Sequence, residues 1–211
     1  MSSSFYSREL QDVFAHKLIG DNGFFLDFGS SNPNGCRGER NGLCSNTAAL
    51  EKNFGWKGLL FDIYNFGAGG RKSSKFFQVD CKETQKISQI LDENLDLKTV
   101  DYVSIDTEWN ATLPILDALF ASLEGFKVMT LEHDSFRGAH YAQMKEESRE
   151  KLFSRGYFLL FGDIRLEEGH RHAKKPWEDW WINPSAFSKE VQLLQENDLP
   201  YMECISRLEA L

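Results

Sequence analysis

The sequence predicts an α/β protein built on one doubly wound sheet of seven strands, mostly parallel, with an antiparallel strand supplied by a C-terminal hairpin. Three observations lead to this fold class. Short apolar runs alternate with amphipathic stretches, acidic residues close most of the runs, and no helical pattern separates the last two runs. Strands that alternate with helices are typical of βαβ units and therefore of a Rossmann-like sheet.

Five apolar runs are candidate parallel strands, since continuous apolar runs suit strands that are covered on both faces of a sheet. They lie at residues 24–28, 58–62, 75–80, 102–106 and 127–132. Apolar residues repeat at helical spacing ahead of three of these runs, at residues 10–18, 87–95 and 113–123. Right-handed crossovers then place the carboxyl ends of all five strands on one edge of the sheet.

The C-terminal part of the chain has a different pattern. Residues 156–161 and 179–182 are predicted to form two strands joined by a polar, basic loop, so a hairpin ends the sheet. A short covering helix is predicted over residues 188–197. No linker or repeat interrupts the chain, so we expect one domain over residues 1–211. Its predicted parts are an N-terminal helix at 4–19, a core at 23–184 and a helical tail at 185–211.

The composition excludes several classes of protein. The 211 residues are 41% hydrophobic and 27% charged, which is typical of a globular protein. The net charge of −8 argues against a nucleic-acid partner, because non-specific binding to phosphates needs clustered Lys and Arg. The two densest basic stretches, at 70–75 and 170–175, are predicted to be solvated loop charge, with a local contact to an anion as the alternative.

Cysteine usage and hydropathy bear on the expected compartment. The four cysteines form no close pair, so neither a disulfide framework nor a zinc site is expected. No apolar run approaches the roughly 18 residues of a membrane span, and residues 1–4 do not open a signal peptide. We therefore expect a cytoplasmic protein without a membrane partner, of an oligomeric state that the sequence leaves open.

Acidic residues occupy equivalent places at the ends of the predicted strands. They are Asp27, Asp62, Asp80, Asp106 and Glu132. Folding does not need a carboxylate at these places, and open α/β sheets bind ligands outside the carboxyl ends of their strands. One such residue could cap a helix, but five in register favour a ligand site.

The first strand ends in Asp27-Phe28-Gly29-Ser30, in which Gly29 allows a tight turn and a close approach of the backbone to a ligand. The fingerprint G-x-G-x-x-G is absent here, which lowers the expectation of a nicotinamide or flavin dinucleotide. Asp62, at the end of the second strand, has the acceptor oxygens to take both hydroxyls of a ribose. Asp80 and Cys81 would then flank an adenine. A cap or turn role remains the alternative for both aspartates.

Four segments carry a family resemblance. They are residues 45–62, 101–108, 130–134 and 178–184. The first resembles the FkbM-type signature, in which S-N-T precedes a helix that ends in G-W-x-G before a strand. The second resembles the motif D-Y-L-S-x-D-x-E of that family, the third resembles its fifth strand with an E-H pair, and the last is similar to its closing segment.

The resemblance implies a class I methyltransferase with S-adenosylmethionine as donor and a hydroxyl of a small molecule or sugar as acceptor. The residues that we expect to bind the donor are Asp27, Gly29, Ser30, Asn46, Thr47, Asp62, Asp80, Cys81 and Asp106. Two departures stand out. The loop at 33–44 is longer than usual, and Trp109 stands where the family has Gly after D-x-E, at a position that faces the acceptor.

Methyl transfer to a hydroxyl needs a donor site, an oriented acceptor and a group that takes one proton. His133 is the candidate base, since its unperturbed pKa lies near neutrality, although a surface or structural histidine is the alternative. Asp106 and Glu108 are candidate catalytic residues as well. They could bind the ammonium of the donor, assist His133, or hold a divalent metal, which nothing in the sequence indicates.

Three rival functions remain. A non-catalytic methyltransferase-fold module that binds a partner is the main one, because Trp109 alters the acceptor turn. The triplet Asp106-Thr107-Glu108 also resembles the first metal motif of 3′–5′ exonucleases, but it lies on the fourth predicted strand and His172 and Asp179 are spaced differently. A nicotinamide oxidoreductase is weakened by the missing glycine fingerprint.

Overall fold

The computed structural model describes residues 5–30, 45–65, 70–96, 99–166 and 172–211. The described strands are β1 (Phe24–Phe28), β2 (Lys57–Asp62), β3 (Ser74–Gln78), β4 (Thr99–Ile105), β5 (Gly125–Glu132), β6 (Phe158–Arg165), β7 (Pro176–Ile182) and β8 (Glu196–Asn197). The described α-helices are α1 (Gln11–Ile19), α2 (Ala48–Phe54), α3 (Thr84–Asn94), α4 (Trp109–Ser122), α5 (Ala139–Ser154), α6 (Lys189–Gln192) and α7 (Tyr201–Glu209). The longer loop predicted at 33–44 lies outside the described residues.

All described strands join one sheet in the order β3-β2-β1-β4-β5-β7-β6-β8. Strands β1 to β5 pair in parallel, and β7 runs antiparallel to both β5 and β6. The predicted fold class is therefore confirmed. The strand order reverses between β1 and β4, which makes the carboxyl ends of these two strands the topological switch point of the sheet.

The sheet has eight strands in the described ranges, whereas the sequence predicted seven. The additional strand, β8, has two residues and pairs in parallel with Phe161 and Gly162 of β6. A strand of two residues is too short to produce an alternation of apolar and polar residues, so the sequence pattern did not reveal it.

Helices cover both faces of the sheet. The first buried cluster joins one face to α3, α4 and α5, and it includes Leu26, Phe28 and Trp181. The second cluster joins the other face to α1, α2 and α7, and it includes Phe25 and Trp180. Adjacent residues of one strand thus enter different cores, because successive side chains of a strand point to opposite faces.

Three helices differ from the predicted ones. Helix α1 starts at Gln11 and not near residue 4, because the Asp12 carboxylate accepts bonds from the amides of Tyr6 and Ser7 and Leu10 adopts a left-handed conformation. The predicted helix at 188–197 is confined to α6. Helix α5 was missed, since only Met144, Ser148 and Leu152 of its residues are fully buried. No described helix is both long and apolar enough to cross a membrane.

Candidate functional site

The turn that follows β1 is closed by protein contacts. Gly29 has a φ of +80°, and the amides of Gly29 and Ser30 both donate to the carbonyl oxygen of Phe61, at 2.9 and 3.1 Å. Ser30 is buried. The amides of these two residues, both expected at the donor site, are therefore already bonded to β2, and they hold the ends of β1 and β2 together.

Asp27 lies beneath this turn, on the face of the sheet that α2 covers. Only 2% of its surface is exposed, and it accepts a hydrogen bond of 2.5 Å from the hydroxyl of Thr47. That hydroxyl in turn accepts from Nη1 of Arg71 at 2.7 Å. Burial raises the pKa of Asp27 to about 6, against the attraction of Arg71. The carboxylate thus organises the start of α2 from below and has little contact with solvent.

Arg71 contradicts the prediction of solvated loop charge at 70–75. It is 7% exposed, it donates to the Ser45 hydroxyl through Nη2, and its guanidinium lies 5.7 Å from the ring centre of Phe25. A buried carboxylate within a strand needs a nearby cation, and Asp27 was the signal that could have identified Arg71. Asn46 donates to the Ser104 hydroxyl at 3.0 Å and ties the start of α2 to β4.

Asp62 ends β2, and Asp80 follows the end of β3 by two residues, at the same edge as Gly29. An oxygen of Asp62 accepts from the amide of Tyr64 at 2.8 Å, and an oxygen of Asp80 accepts from the amide of Lys82 at 3.0 Å. Both aspartates therefore stabilise turns, which is the role that the sequence analysis gave as the alternative to ligand binding. Cys81 is buried, and burial raises the pKa of its thiol to about 12, so the thiol remains protonated at neutral pH.

Asp106 and Glu132 form a hydrogen-bonded pair of carboxyl groups at the ends of β4 and β5. Asp106 is accessible to solvent, but desolvation by the protein around it raises its pKa, while the bond from Glu132 opposes this rise. Desolvation and the charge of Asp106 raise the pKa of Glu132 well above its usual range. Within this pair, Glu132 is the group that holds the shared proton and donates the hydrogen bond, and Asp106 accepts it.

Glu178, which lies opposite Glu132 on β7, extends this acidic group into the protein. It is buried, and burial raises its pKa well above the usual range. It accepts hydrogen bonds from Trp180 Nε1 at 2.8 Å and from Gln11 Nε2 at 3.2 Å. A row of acidic side chains thus runs along this edge from β4 to β7, and the side chain on β7 is the most buried of the row.

Glu108 and Trp109 lie where α4 begins. The Tyr141 hydroxyl donates to Oε2 of Glu108 at 3.1 Å, and the Trp109 ring packs against His140 with 4.8 Å between the ring centres. The Arg137 guanidinium lies 5.2 Å from the ring centre of Tyr141. Glu108 is exposed to solvent at the carboxyl edge of the sheet, and it lies among aromatic side chains from the start of α5.

Asp134 is a residue of this region that sequence reasoning missed. Its backbone is left-handed, with a φ of +50°, and the residue is 6% exposed. One carboxylate oxygen accepts from Nη1 of Arg137 at 2.5 Å, and the other has no hydrogen-bond partner. It directly follows His133 in the segment that resembles the E-H pair, and its negative charge contributes to the raised pKa of Asp106.

His133 does not lie with Asp106 and Glu108 at the carboxyl edge of the sheet. Its side chain is fully buried, and Nδ1 accepts a bond of 3.2 Å from the amide of Ser135, so the ring proton resides on Nε2. Nε2 points between Asp179, at 3.5 Å, and Asp163, at 3.7 Å. Neither nitrogen offers a free lone pair to an acceptor. This geometry favours the structural interpretation of His133 over the role of base.

The three residues His133, Asp163 and Asp179 place one nitrogen and two oxygens within 4.8 Å of one another, a spacing that a metal ion could use. Two cations already neutralise the carboxylates. Arg149 forms two bonds to Asp179, at 2.8 and 2.7 Å, and Lys145 lies 3.0 Å from Asp163. A metal-bound histidine normally donates its other N–H, whereas Nδ1 of His133 accepts one. We therefore interpret the group as an ion network that joins α5 to β5, β6 and β7.

Comparisons with known proteins bear on the fold. No family model and no curated protein matches the chain. Among solved structures, it is similar to a candidate hemolysin from Lactococcus lactis, with 13% identity, full coverage of both chains and a TM-score of 0.58. It is also similar to a candidate rRNA methylase from Clostridium thermocellum, with 14% identity, 84% and 97% coverage and a TM-score of 0.52.

A third similar structure is a TehB-like SAM-dependent methyltransferase from Corynebacterium glutamicum, with 12% identity, 83% and 86% coverage and a TM-score of 0.52. The chain has a Rossmann-like methyltransferase fold.

On the carboxyl edge of this methyltransferase fold, the sequence-predicted residues divide into three groups. Asp62, Asp106 and Glu108 lie at the edge, Asp27 and Thr47 are buried beneath it, and the imidazole of His133 is turned into the ion network.

Proposed function

We propose that this chain is an S-adenosylmethionine-dependent methyltransferase of the FkbM type, which methylates a hydroxyl of a small molecule or sugar. The observation that carries the proposal is the arrangement at the switch point of the sheet. There, the turn after β1, Asp62 at the end of β2 and the pair of Asp106 and Glu132 share one edge. Ligands of open α/β sheets bind at such an edge.

The surroundings of Asp62 suit the nucleoside part of the donor. Directly after Asp62 come Ile63 and Tyr64, which are 50% and 66% exposed, and large apolar side chains with this exposure often mark a binding surface. The carboxylate would accept the ribose hydroxyls, and the two apolar side chains would cover a face of the adenine. Asp80 and Cys81, at the end of the neighbouring strand, would border the other side of the base.

The acidic residues of β4 suit the remaining parts of the reaction. When bound, S-adenosylmethionine supplies a methyl carbon that its sulfonium activates. The protein itself must bind the positively charged amino-acid end of the donor, orient the hydroxyl and take its proton. Asp106 carries a negative charge for the ammonium, and Glu108 is the exposed carboxylate for the proton. The proposal requires neither His133 nor a divalent metal.

Calorimetry with S-adenosylhomocysteine tests the proposal. The wild type should bind, and Asp62→Ala should lower the affinity by about ten- to a hundredfold, because it removes a bidentate contact worth about 1–3 kcal/mol. Asp117→Asn is the control, since Asp117 is an exposed residue of α4 that pairs with Lys151. Equal affinities in the wild type and Asp62→Ala would refute the donor site, and absence of binding in the wild type would refute the function.

A second candidate function is that of a non-catalytic module with the same fold. The observation that favours it is Trp109, whose ring occupies the start of α4 and packs against His140. A protein that binds S-adenosylhomocysteine but transfers no methyl group to any hydroxyl of a broad acceptor panel would support this alternative. Transfer to one acceptor would remove it.

A further inference from the structure

We propose that a cleft between the N-terminal halves of α4 and α5 binds an uncharged sugar ring, and that this sugar carries the hydroxyl to be methylated. The second half of this statement rests on the proposed function. The cleft has a volume of about 220 Å³, which suits one small ligand. The lining residues that carry the argument are Trp109, Asn110, Pro114, Gln143, Met144 and Glu147.

Trp109 supplies a flat aromatic surface within the cleft. Its ring is half-buried and is held in place by His140, whose ring is inclined to it by 52°. Pro114 and the buried Met144 add apolar surface. The C–H groups of a pyranose ring carry small positive charges, and they pack well on the negative face of an aromatic ring. One face of a sugar would therefore lie against Trp109.

The polar groups of the cleft suit hydroxyls. Gln143 donates to Glu147 at 2.7 Å, which fixes both side chains and leaves the amide oxygen of Gln143 available to a ligand. Pro114 has no N–H, so the carbonyl of Asn110 lacks its α-helical partner beside the cleft. Hydroxyl groups both donate and accept, and a ring of them can satisfy amide, carboxylate and carbonyl groups together.

The charge of the cleft disfavours an anionic ligand. Among the described residues that line it, Glu147 is a carboxylate and none is Lys or Arg. Glu108, which precedes Trp109 in the chain, adds a second negative charge at the start of α4. A phosphate or carboxylate group would be repelled here, whereas a neutral sugar would not. Trp109 also directly follows the D-x-E segment, so the cleft starts at the edge that holds the proposed donor site.

Saturation-transfer NMR on the full chain tests the proposal, with three methyl glycosides as probes: methyl α-D-glucopyranoside, methyl β-D-xylopyranoside and methyl α-L-rhamnopyranoside. At least one should receive saturation, mostly through ring C–H protons. Trp109→Ala should weaken its binding on the order of tenfold, while Trp109→Phe, which keeps an aromatic face, should change it much less. Phe153→Ala is the matched control, because Phe153 is an exposed aromatic residue elsewhere on α5.

Several outcomes would overturn the proposal. One is that no glycoside receives saturation. Another is that the wild type, Trp109→Phe and Trp109→Ala bind the glycoside equally while melting at the same temperature. A third is that catechol or glucose 6-phosphate binds more strongly than every glycoside. Calorimetry with S-adenosylhomocysteine on the same sample separates the two proposals. If the protein binds a glycoside but not S-adenosylhomocysteine, the sugar site is supported, but the sugar is not the methyl acceptor.

Discussion

A Cβ atom on Gly29 would lie 1.8 Å from the backbone oxygen of Asp106. The turn after β1 therefore packs directly on the end of β4, at the point where the strand order of the sheet reverses. The sequence pattern predicts that Gly29 lets the backbone approach a ligand. In the structure, the group that approaches is the neighbouring strand. Gly29 fixes the distance between the two strand ends that carry the proposed donor site.

Gly29→Ala should destabilise the protein strongly, by about 2–5 kcal/mol, since it combines a left-handed residue with a steric clash. Gly156→Ala is a matched control, because Gly156 has a φ of +81° and no atom lies within 4 Å of the place that an alanine methyl group would take. The control should lose only about 1–2 kcal/mol. Urea unfolding measures both variants, and equal losses would show that the contact with Asp106 can relax.

The pair of Asp106 and Glu132 predicts a pH dependence of donor binding. Because the pKa of Asp106 is raised, its carboxylate gains a proton as the pH falls, and its attraction for the donor ammonium is lost. The affinity for S-adenosylhomocysteine should therefore fall as the pH is lowered from 8. Asp106→Asn should lower the affinity at pH 8 by about tenfold or more and reduce this dependence.

Glu132→Gln is the control for that experiment. Glutamine still donates a hydrogen bond to Asp106, as the protonated Glu132 does, so the affinity at pH 8 should be nearly that of the wild type. An affinity in the wild type that does not vary with pH would contradict the role of Asp106. A large loss in Glu132→Gln alone would move that role to Glu132.

The sequence was sufficient to predict seven of the eight described strands, because each of the seven is an apolar run that can be seen in the local sequence. It was insufficient for the orientation of side chains beyond the strand ends. The imidazole of His133 is turned into the protein by a left-handed Asp134 and the short helical turn at Ser135–Arg137 that follows. Arg71 is buried through contacts with residues more than 20 positions away. Such contacts leave no periodic pattern in the sequence.

Asp27 predicts a second pH effect, on stability. Its pKa is about 6 in the folded protein, above the value of about 3.9 expected for an unfolded chain. The folded state therefore binds more protons between these values, and stability should fall as the pH rises through this window. Between pH 4.5 and pH 7.5 the contribution of Asp27 amounts to about 2 kcal/mol.

Asp27→Asn should remove this contribution, since the amide oxygen can still accept from Thr47 but carries no charge. Urea unfolding at both pH values measures it as the difference between wild type and variant. Because the other titrating groups are common to both proteins, they cancel in that difference. The same fall of stability with pH in both proteins would show that Asp27 does not carry the shifted titration.

His133 provides the prediction that separates a structural role from a catalytic one. In the ion network, its Nε2 lies 3.5 Å from Asp179. Burial raises the pKa of Asp179, while bonds from Arg149 and the nearby imidazole of His133 lower it below its usual range. His133→Ala removes a polar group that lies beside two carboxylates and leaves a cavity, so it should lower the free energy of unfolding by about 2–4 kcal/mol. Because Asp179 is stabilised as an anion, its contribution should be present above pH 4 and be lost as the pH falls below that value.

The affinity for S-adenosylhomocysteine should remain within about twofold of the wild type at a temperature where His133→Ala is folded, because the imidazole does not face the proposed donor site. Arg149→Met is the companion variant. It leaves the buried carboxylate of Asp179 without its bidentate partner, and breaking a buried pair in this way should cost about 3–5 kcal/mol. A stable His133→Ala protein, together with a destabilised Arg149→Met protein, would place the imidazole outside the network and make it available as a base again.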